Sequence, residues 1–217
     1  MNQIFNYDNK FFRGVSKIID CVWLSLLWFM CCIPVFTIGA ATTALYYTIN
    51  KSVKNDRGYA SIEFFSSFKE NFKQSTIVWL IFLGMYTLLG VDYFVMKAYA
   101  EAGAQIGKLY VAFLGFGVVV TMWGFYVFPY IARFENTTKN VLKNTLFIAI
   151  SNIHWTLGIT VLFIAMWVEI YLIMPIALIM PVLYQFLKSI AIERVFKKYM
   201  TPEDLELEEE RNITFHN

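Results

Sequence analysis

Five stretches of about twenty apolar residues dominate this chain, at 18–38, 75–96, 109–131, 146–168 and 170–190. An α-helix needs roughly 20 apolar residues to cross the hydrocarbon core of a bilayer, which is about 30 Å thick. Charged residues form only 16% of the chain, and they cluster between these stretches. Because none shows the alternating pattern of a membrane barrel, the sequence predicts an all-α, polytopic membrane helix bundle with five spans.

The overall composition agrees with a membrane environment. Apolar residues make up 58% of the chain, and its mean hydropathy is +0.54, both too high for a typical water-soluble domain. We therefore expect residues 1–200 to form a single transmembrane domain. The stretch PEDLELEEE, which begins at Pro202, predicts an acidic mobile tail over residues 201–217.

The first apolar stretch continues to residue 49, so a straight helix from 18 to 49 would measure about 48 Å at 1.5 Å per residue. This length exceeds the hydrocarbon core, and Pro34 predicts where the helix breaks, since proline lacks a backbone N–H. Two helices hinged at Pro34 would add a sixth span. Thr37 can bond the carbonyls freed at the break, and a small-residue face follows at Gly39, Ala40, Thr43 and Ala44.

These polar and small residues admit two interpretations. Threonine and glycine in membrane helices commonly allow close packing of neighbouring helices. Broken helices in transporters can instead line a solute path, which would here involve Thr42 and Thr43.

The distribution of Lys and Arg predicts the orientation of the chain. If the chain turns back at Pro34, sixteen of the 18 Lys and Arg residues lie on one side of the membrane. The positive-inside rule assigns that side to the cytoplasm. The sequence therefore predicts a multi-pass membrane protein with a cytoplasmic C-terminus.

Residues 59–75 form the most regular pattern outside the spans. Aromatic residues recur at helical spacing while lysines occupy the other side, which predicts an amphipathic helix in the cytoplasmic interface. Either lipid headgroups or a partner protein could contact this helix. Its candidate contact residues are Phe64, Phe65, Phe68, Lys69, Phe72 and Lys73.

Four further polar residues in or near the spans are candidate functional groups, because ionisable side chains inside a membrane are costly. They are Asp20, Asp92, His154 and Glu169. No carboxylate or base lies at the centre of a predicted span, and the sequence has no GxxxxGK[ST], GxSxG or HExxH motif. We therefore expect no enzymatic activity, no metal site, no cofactor and no nucleic-acid partner.

Three segments carry a resemblance to a known family. The segments CIPVFTIGAATTALYY, FFSSFKENFKQS and RFENTTKNVLKNTLF resemble the bacterial YesL family of multi-pass membrane proteins, over roughly residues 5–198. The resemblance implies a plasma-membrane protein whose genes often accompany those for sugar-binding importers and polysaccharide breakdown. It assigns no role to any residue, because the biochemical activity of that family is not established.

Two hypotheses of function follow. In the first, the chain is a non-enzymatic accessory protein that packs against membrane subunits of a sugar importer, through the face from Gly39 to Ala44 and the helix at 61–75. In the second, the chain transports a small solute alone, past the break at Pro34. Besides the lipid bilayer, a second copy of the chain remains open as a partner.

Overall fold

A computed structural model of the protein describes residues 10–55, 58–173 and 178–200, together with Glu203 and Glu206. The described residues form helices and no strands. The predicted all-α bundle is thus confirmed, whereas the acidic tail predicted over 201–217 lies outside the described residues, apart from Glu203 and Glu206. The helices are α1 (Lys10–Cys32), α2 (Ile38–Thr48), α3 (Ala60–Glu101), α4 (Tyr110–Arg133), α5 (Thr138–Ser151), α6 (Ile153–Leu172) and α7 (Met180–Phe196).

The first two helices form a hairpin that turns at Pro34. α1 ends at Cys32, a short 3-10 turn covers Val35–Thr37, and α2 continues through a π-helical extension at Ile49–Lys54. The two helices fold back on each other, so that Leu24 and Leu27 share a core cluster with Ala44 and Ile49. The break predicted at Pro34 is therefore present.

Both ends of this hairpin lie at the same end of the bundle. Lys17 and Asp20, near the start of α1, line one small cavity together with Ser52 and Val53 from the end of α2. This arrangement matches the topology that the distribution of Lys and Arg favours. We call this the basic end of the bundle, since Lys51 and Lys54 also lie there.

The third helix merges two elements that the sequence analysis treats separately. The amphipathic segment and the second predicted span form one helix of 42 residues, Ala60–Glu101. Residues 60–75 are thus helical, as predicted, but they continue into the second span without a break. The physical reason is visible in the sequence, because neither glycine nor proline interrupts residues 60–83.

The remaining helices pack as antiparallel neighbours. Between α3 and α4, Phe82 lies beside Trp123, and Tyr93 lies beside Tyr110. Between α6 and α7, Phe163 lies beside Tyr184. The main core cluster joins α3 to α7 through residues that include Tyr126, Ile159 and Ile192.

The last two predicted spans have the wrong boundaries. The run at 146–168 is broken at Asn152, whose backbone leaves the helical region and whose side chain donates to the Ile148 carbonyl at 3.0 Å. The run at 170–190 is also interrupted, because α6 ends at Leu172 and α7 begins at Met180, with a proline in its first turn.

Three described helical segments are long and apolar enough to cross a membrane: Ala60–Glu101, Gln105–Arg133 and Ile153–Leu172. The apolar part of α1, Ile19–Cys32, is shorter.

Candidate functional site

The break at Pro34 is closed by a neighbouring threonine. The Thr37 hydroxyl contacts the carbonyl oxygens of Cys31 and Pro34, the latter at 2.6 Å. Its side chain is buried, whereas Pro34 itself is exposed. Thr37 thus bonds the Cys31 carbonyl at the C-terminal end of α1, which loses its helical partner at the break.

The small-residue face of α2 is covered by other helices of the same chain. Gly39, Ala40, Thr43 and Ala44 are all buried. A Cβ atom on Gly39 would lie 2.6 Å from the Ser75 carbonyl oxygen and 2.7 Å from Cβ of Trp79. The backbones of α2 and α3 approach this closely only because residue 39 has no side chain.

This packing leaves the small face unavailable to another subunit. The Thr43 hydroxyl also lies 2.9 Å from the Ser75 hydroxyl, which links α2 to α3 by a buried hydrogen bond. The structure therefore argues against the expectation that Gly39 to Ala44 contact a partner, because α3 and α4 of this chain already occupy the face. A partner has to use another surface.

The hydroxyl of Thr42 is likewise engaged within the hairpin. It donates to the Ile38 carbonyl at 2.7 Å and accepts from Trp28 Nε1 at 3.4 Å. Thr43 donates to the Gly39 carbonyl at 3.0 Å. The bond from Trp28 links Thr42 to α1 and so helps to hold the hairpin together, whereas the bonds of Thr43 lie within α2 and between α2 and α3.

The aromatic segment of α3 has an inner and an outer face. Phe64 is fully buried against the hairpin, and Phe68 stacks on it with ring centroids 6.3 Å apart. On the outer face, Phe65 is 43% exposed and Phe72 is 36% exposed. The side chains of Lys69 and Lys73 are exposed as well.

The four polar candidates do not form a common site. Asp20 is exposed and lines a cavity of about 160 Å³ at the basic end. Asp92 lies on α3, and His154 and Glu169 lie at opposite ends of α6; all three are exposed. Among the described residues, no group of three or more His, Cys, Asp and Glu side chains could hold a metal ion.

A different set of charged residues meets at the basic end. Glu193 of α7 accepts a hydrogen bond from the Tyr46 hydroxyl of α2 at 2.6 Å. Its second carboxylate oxygen lies 2.8 Å from Arg133 Nη1 of α4, and the two side chains are only 17% and 20% exposed. We call Tyr46, Arg133 and Glu193 the charged latch, because these three residues connect three helices.

Lys54 adds a second cation next to the latch. Its ammonium group lies 5.4 Å from the centre of the Phe186 ring. Burial lowers the pKa of Lys54, while the negative charge of Glu193 acts in the opposite direction. The latch and Lys54 thus combine one carboxylate with two cationic groups.

The sequence analysis missed these residues because each has an ordinary local explanation. Arg133 follows an apolar run, as the basic residues that flank a span do, and Glu193 lies beside Arg194, as a charged surface residue would. One signal was available, since Glu193 interrupts the otherwise apolar run from Ile190 to Phe196 together with Arg194. A carboxylate on an apolar helix requires a partner.

An open apolar groove lies between α3, α4 and α6. It has a volume of about 450 Å³, and its lining includes Gly90 and Gly117. A Cβ atom on either glycine would meet no atom within 4 Å. Its polar side chains are the hydroxyl groups of Tyr86, Tyr93, Thr121 and Thr160, and the first and third of these bond each other at 3.0 Å. The rest of the described lining is apolar or glycine, so the groove presents few polar groups to a solute.

Comparison with known proteins gives one match. Residues 21–93 are similar to a family described as protein of unknown function, DUF624. The matched part covers the apolar end of α1, the hairpin and α3 as far as Tyr93. No curated protein and no solved structure matches the chain.

Proposed function

We propose that this chain is a non-enzymatic accessory component of ATP-driven sugar importers in a bacterial plasma membrane, with its basic end in the cytoplasm. The resemblance to the YesL family supports the association with carbohydrate uptake. The match over residues 21–93 is compatible with this resemblance, because it covers the first two of the three segments that carry it.

The continuous helix α3 is the observation on which the proposal depends. At 1.5 Å per residue its 42 residues measure about 63 Å, roughly twice the thickness of a hydrocarbon core. If residues 75–96 cross the membrane, residues 60–74 extend beyond the core on the basic side. The amphipathic segment is then a rigid continuation of a span.

The inner face of this continuation is held firmly, which fixes the position of its outer face. Phe64 and Ser67 are fully buried, and Lys51 on the hairpin forms an ion pair of 2.7 Å with Glu63. Phe65 and Phe72 consequently project from a helix whose rotation these contacts restrain. Preorganised aromatic residues beside cationic ones suit a protein interface, since little entropy is lost on binding.

The partner that we propose is a membrane subunit of the importer, bound through Phe65, Lys69, Phe72 and Lys73. This assignment replaces the face at Gly39, which the chain itself occupies. Such a subunit would share the membrane with this chain and could meet the outer face of α3 where it leaves the bilayer.

The test is an affinity pull-down of the tagged protein from its native membrane in mild detergent, with quantitative mass spectrometry of importer membrane subunits. The double variant Phe65→Ala, Phe72→Ala should lower their recovery by about tenfold, which corresponds to roughly 1.4 kcal/mol. The matched control is Phe94→Ala, Phe116→Ala, since both rings are exposed, at 69% and 60%, in the spans.

Two outcomes would contradict the proposal. If importer subunits do not accompany the unmodified protein, the association itself is wrong. If they accompany both double variants equally, the outer face of α3 contacts lipid headgroups and is not the interface.

A further inference from the structure

The buried face of α7 contains a lysine that has no ionic partner within the described part of the chain. Lys188 is only 3% exposed, and no salt bridge or neighbouring charge in that part of the chain acts on it. Its ammonium group lies 5.3 Å from the centre of the Tyr184 ring. Lysine is almost never fully buried without a partner, because removing a charge from water is costly.

Two neighbouring side chains on the same face are also unsatisfied. The Tyr184 hydroxyl and Gln185 Nε2 are buried, and neither has a hydrogen-bond partner among the described residues. Residues three and four positions apart share one face of a helix, so both lie next to Lys188. On α1, which packs against α7, the buried Ser25 hydroxyl likewise has no hydrogen-bond partner in the described part of the chain.

Most of the unsatisfied hydrogen-bonding capacity on this face belongs to donors. A lysine ammonium carries three N–H donors and no acceptor, a glutamine amide nitrogen carries two donors, and a tyrosine hydroxyl can donate as well as accept. Among the described residues, no negatively charged acceptor acts on Lys188. The latch does not supply one, because the Glu193 carboxylate is already bonded to Tyr46 and Arg133.

We propose that Lys188, Gln185 and Tyr184 bind an oxyanion, of the kind that phosphate and carboxylate groups present. The oxyanion balances the charge of Lys188 and accepts hydrogen bonds from the other two side chains. Either a free anion or the headgroup of a phospholipid can carry this chemistry.

Thermal unfolding of the delipidated full chain in mild detergent tests the free-anion arm. Inorganic phosphate or acetate is added at constant ionic strength, with chloride as the reference anion. At a hundredfold excess over Kd we expect a saturable rise in Tm of about 5 °C. Lys188→Met should abolish this rise, whereas Lys143→Met, which removes an exposed lysine of α5, should retain it.

The lipid arm measures bound phospholipid phosphorus per chain after purification. A loss in Lys188→Met, but not in Lys143→Met, assigns the site to a headgroup, and a loss only in the free-anion arm assigns it to a soluble ion. If Lys188→Met does not fold, Gln185→Leu keeps the lysine and should weaken the same responses.

The stability of Lys188→Met without phosphate or acetate provides a further test. Removing an unpaired buried charge should leave Lys188→Met at least as stable as the unmodified protein in chloride. Anion responses that are equal in both proteins, or absent from both arms, would overturn the proposal.

Discussion

The Glu193 carboxylate binds Tyr46 through one oxygen and Arg133 through the other, at 2.6 and 2.8 Å. These residues come from α7, α2 and α4, and 147 positions separate Tyr46 from Glu193. The latch therefore connects the N-terminal hairpin to the last described helix. A network that joins helices so distant in sequence holds the basic end of the bundle together.

Substitution of either charged partner in the latch should destabilise the protein. Removing one member of a buried ion pair leaves the charge of its partner uncompensated. Because both side chains retain some contact with solvent, we expect the loss of stability to be about 2 kcal/mol, below the range for fully buried pairs. We expect Arg133→Met and Glu193→Gln each to lower the free energy of unfolding by this amount. The double variant should lose less than the sum of the single losses, with a coupling of about 1 kcal/mol in a double-mutant cycle.

The ion pair between Lys51 and Glu63 provides a matched comparison. It is of similar length, but the Lys51 side chain is 37% exposed. Its coupling energy should be smaller, in the range of exposed pairs, roughly 0.2 to 1 kcal/mol. Equal coupling in the two cycles would show that the latch contributes no more than a surface pair.

Glycines with different surroundings should respond in opposite ways to alanine. At Gly39 a Cβ atom would clash with the Ser75 carbonyl oxygen at 2.6 Å, so Gly39→Ala must separate α2 from α3. We expect a loss of roughly 1 to 3 kcal/mol, as in other overpacked sites. In Gly90→Ala the new methyl group meets nothing within 4 Å, so the better helix propensity of alanine should leave stability equal or higher.

Denaturant or thermal unfolding of the two variants in the same detergent measures this difference. A stable Gly39→Ala protein would mean that α2 and α3 are farther apart than the structure shows. The outcome also bears on function, because a loss of partner binding in a Gly39 variant would then follow from a disturbed fold.

The break at Pro34 could be predicted because its cause is local. A proline removes a backbone donor wherever it occurs, and the excess length of the apolar run demanded a turn. The break at Asn152 has a tertiary cause and was missed. The Asn152 amide also donates to the Tyr199 hydroxyl at 2.8 Å, a residue 47 positions away, which an apolar pattern cannot reveal.

In the candidate site too, features with a local cause could be predicted from the sequence and features with a tertiary cause could not. The burial of Gly39, Ala40 and Thr43 follows from their small size, but the identity of the covering helices does not. Sequence reasoning had no means to pair Arg133 with Glu193, since both lie in segments with ordinary explanations. The continuity of α3, in contrast, was predictable, because residues 60–83 contain neither glycine nor proline.

The hydrogen bond between Thr43 and Ser75 should make a measurable contribution to the contact of α2 with α3. Both hydroxyls are buried, and they lie 2.9 Å apart. Hydrogen bonds between membrane helices contribute about 0.6 kcal/mol on average. A double-mutant cycle with Thr43→Val and Ser75→Ala should therefore give a coupling of about 0.5 to 1 kcal/mol.

The control for this cycle combines Thr87→Val with Ser75→Ala. Thr87 is exposed, and among the described residues its hydroxyl bonds the Leu83 carbonyl of its own helix, at 2.8 Å. Its coupling to Ser75 should be zero within error. A coupling near zero in the Thr43 cycle as well would show that this contact adds nothing to the stability of the bundle.

Lys54 should make the stability of the protein depend on pH in the alkaline range. Burial lowers its pKa below the ordinary value of 10.5, so the folded protein releases this proton at a lower pH than the unfolded chain. Between the two pKa values the unfolded chain binds more protons, and stability rises with pH. The rise should be complete near pH 10.5 and absent from Lys54→Met.

The protonation of Lys51 affects stability in a different pH range, so its effect can be separated from that of Lys54. Burial opposes its charge, but hydrogen bonds with Glu63 and Tyr47 outweigh this effect and raise its pKa above 10.5. Its stabilising contribution is therefore present below 10.5 and is lost only above that value. Unfolding measured between pH 8 and pH 10 in the unmodified protein, Lys54→Met and the exposed-site control Lys143→Met isolates Lys54. If all three proteins show the same slope, Lys54 is solvated in the folded state and does not lie against Phe186.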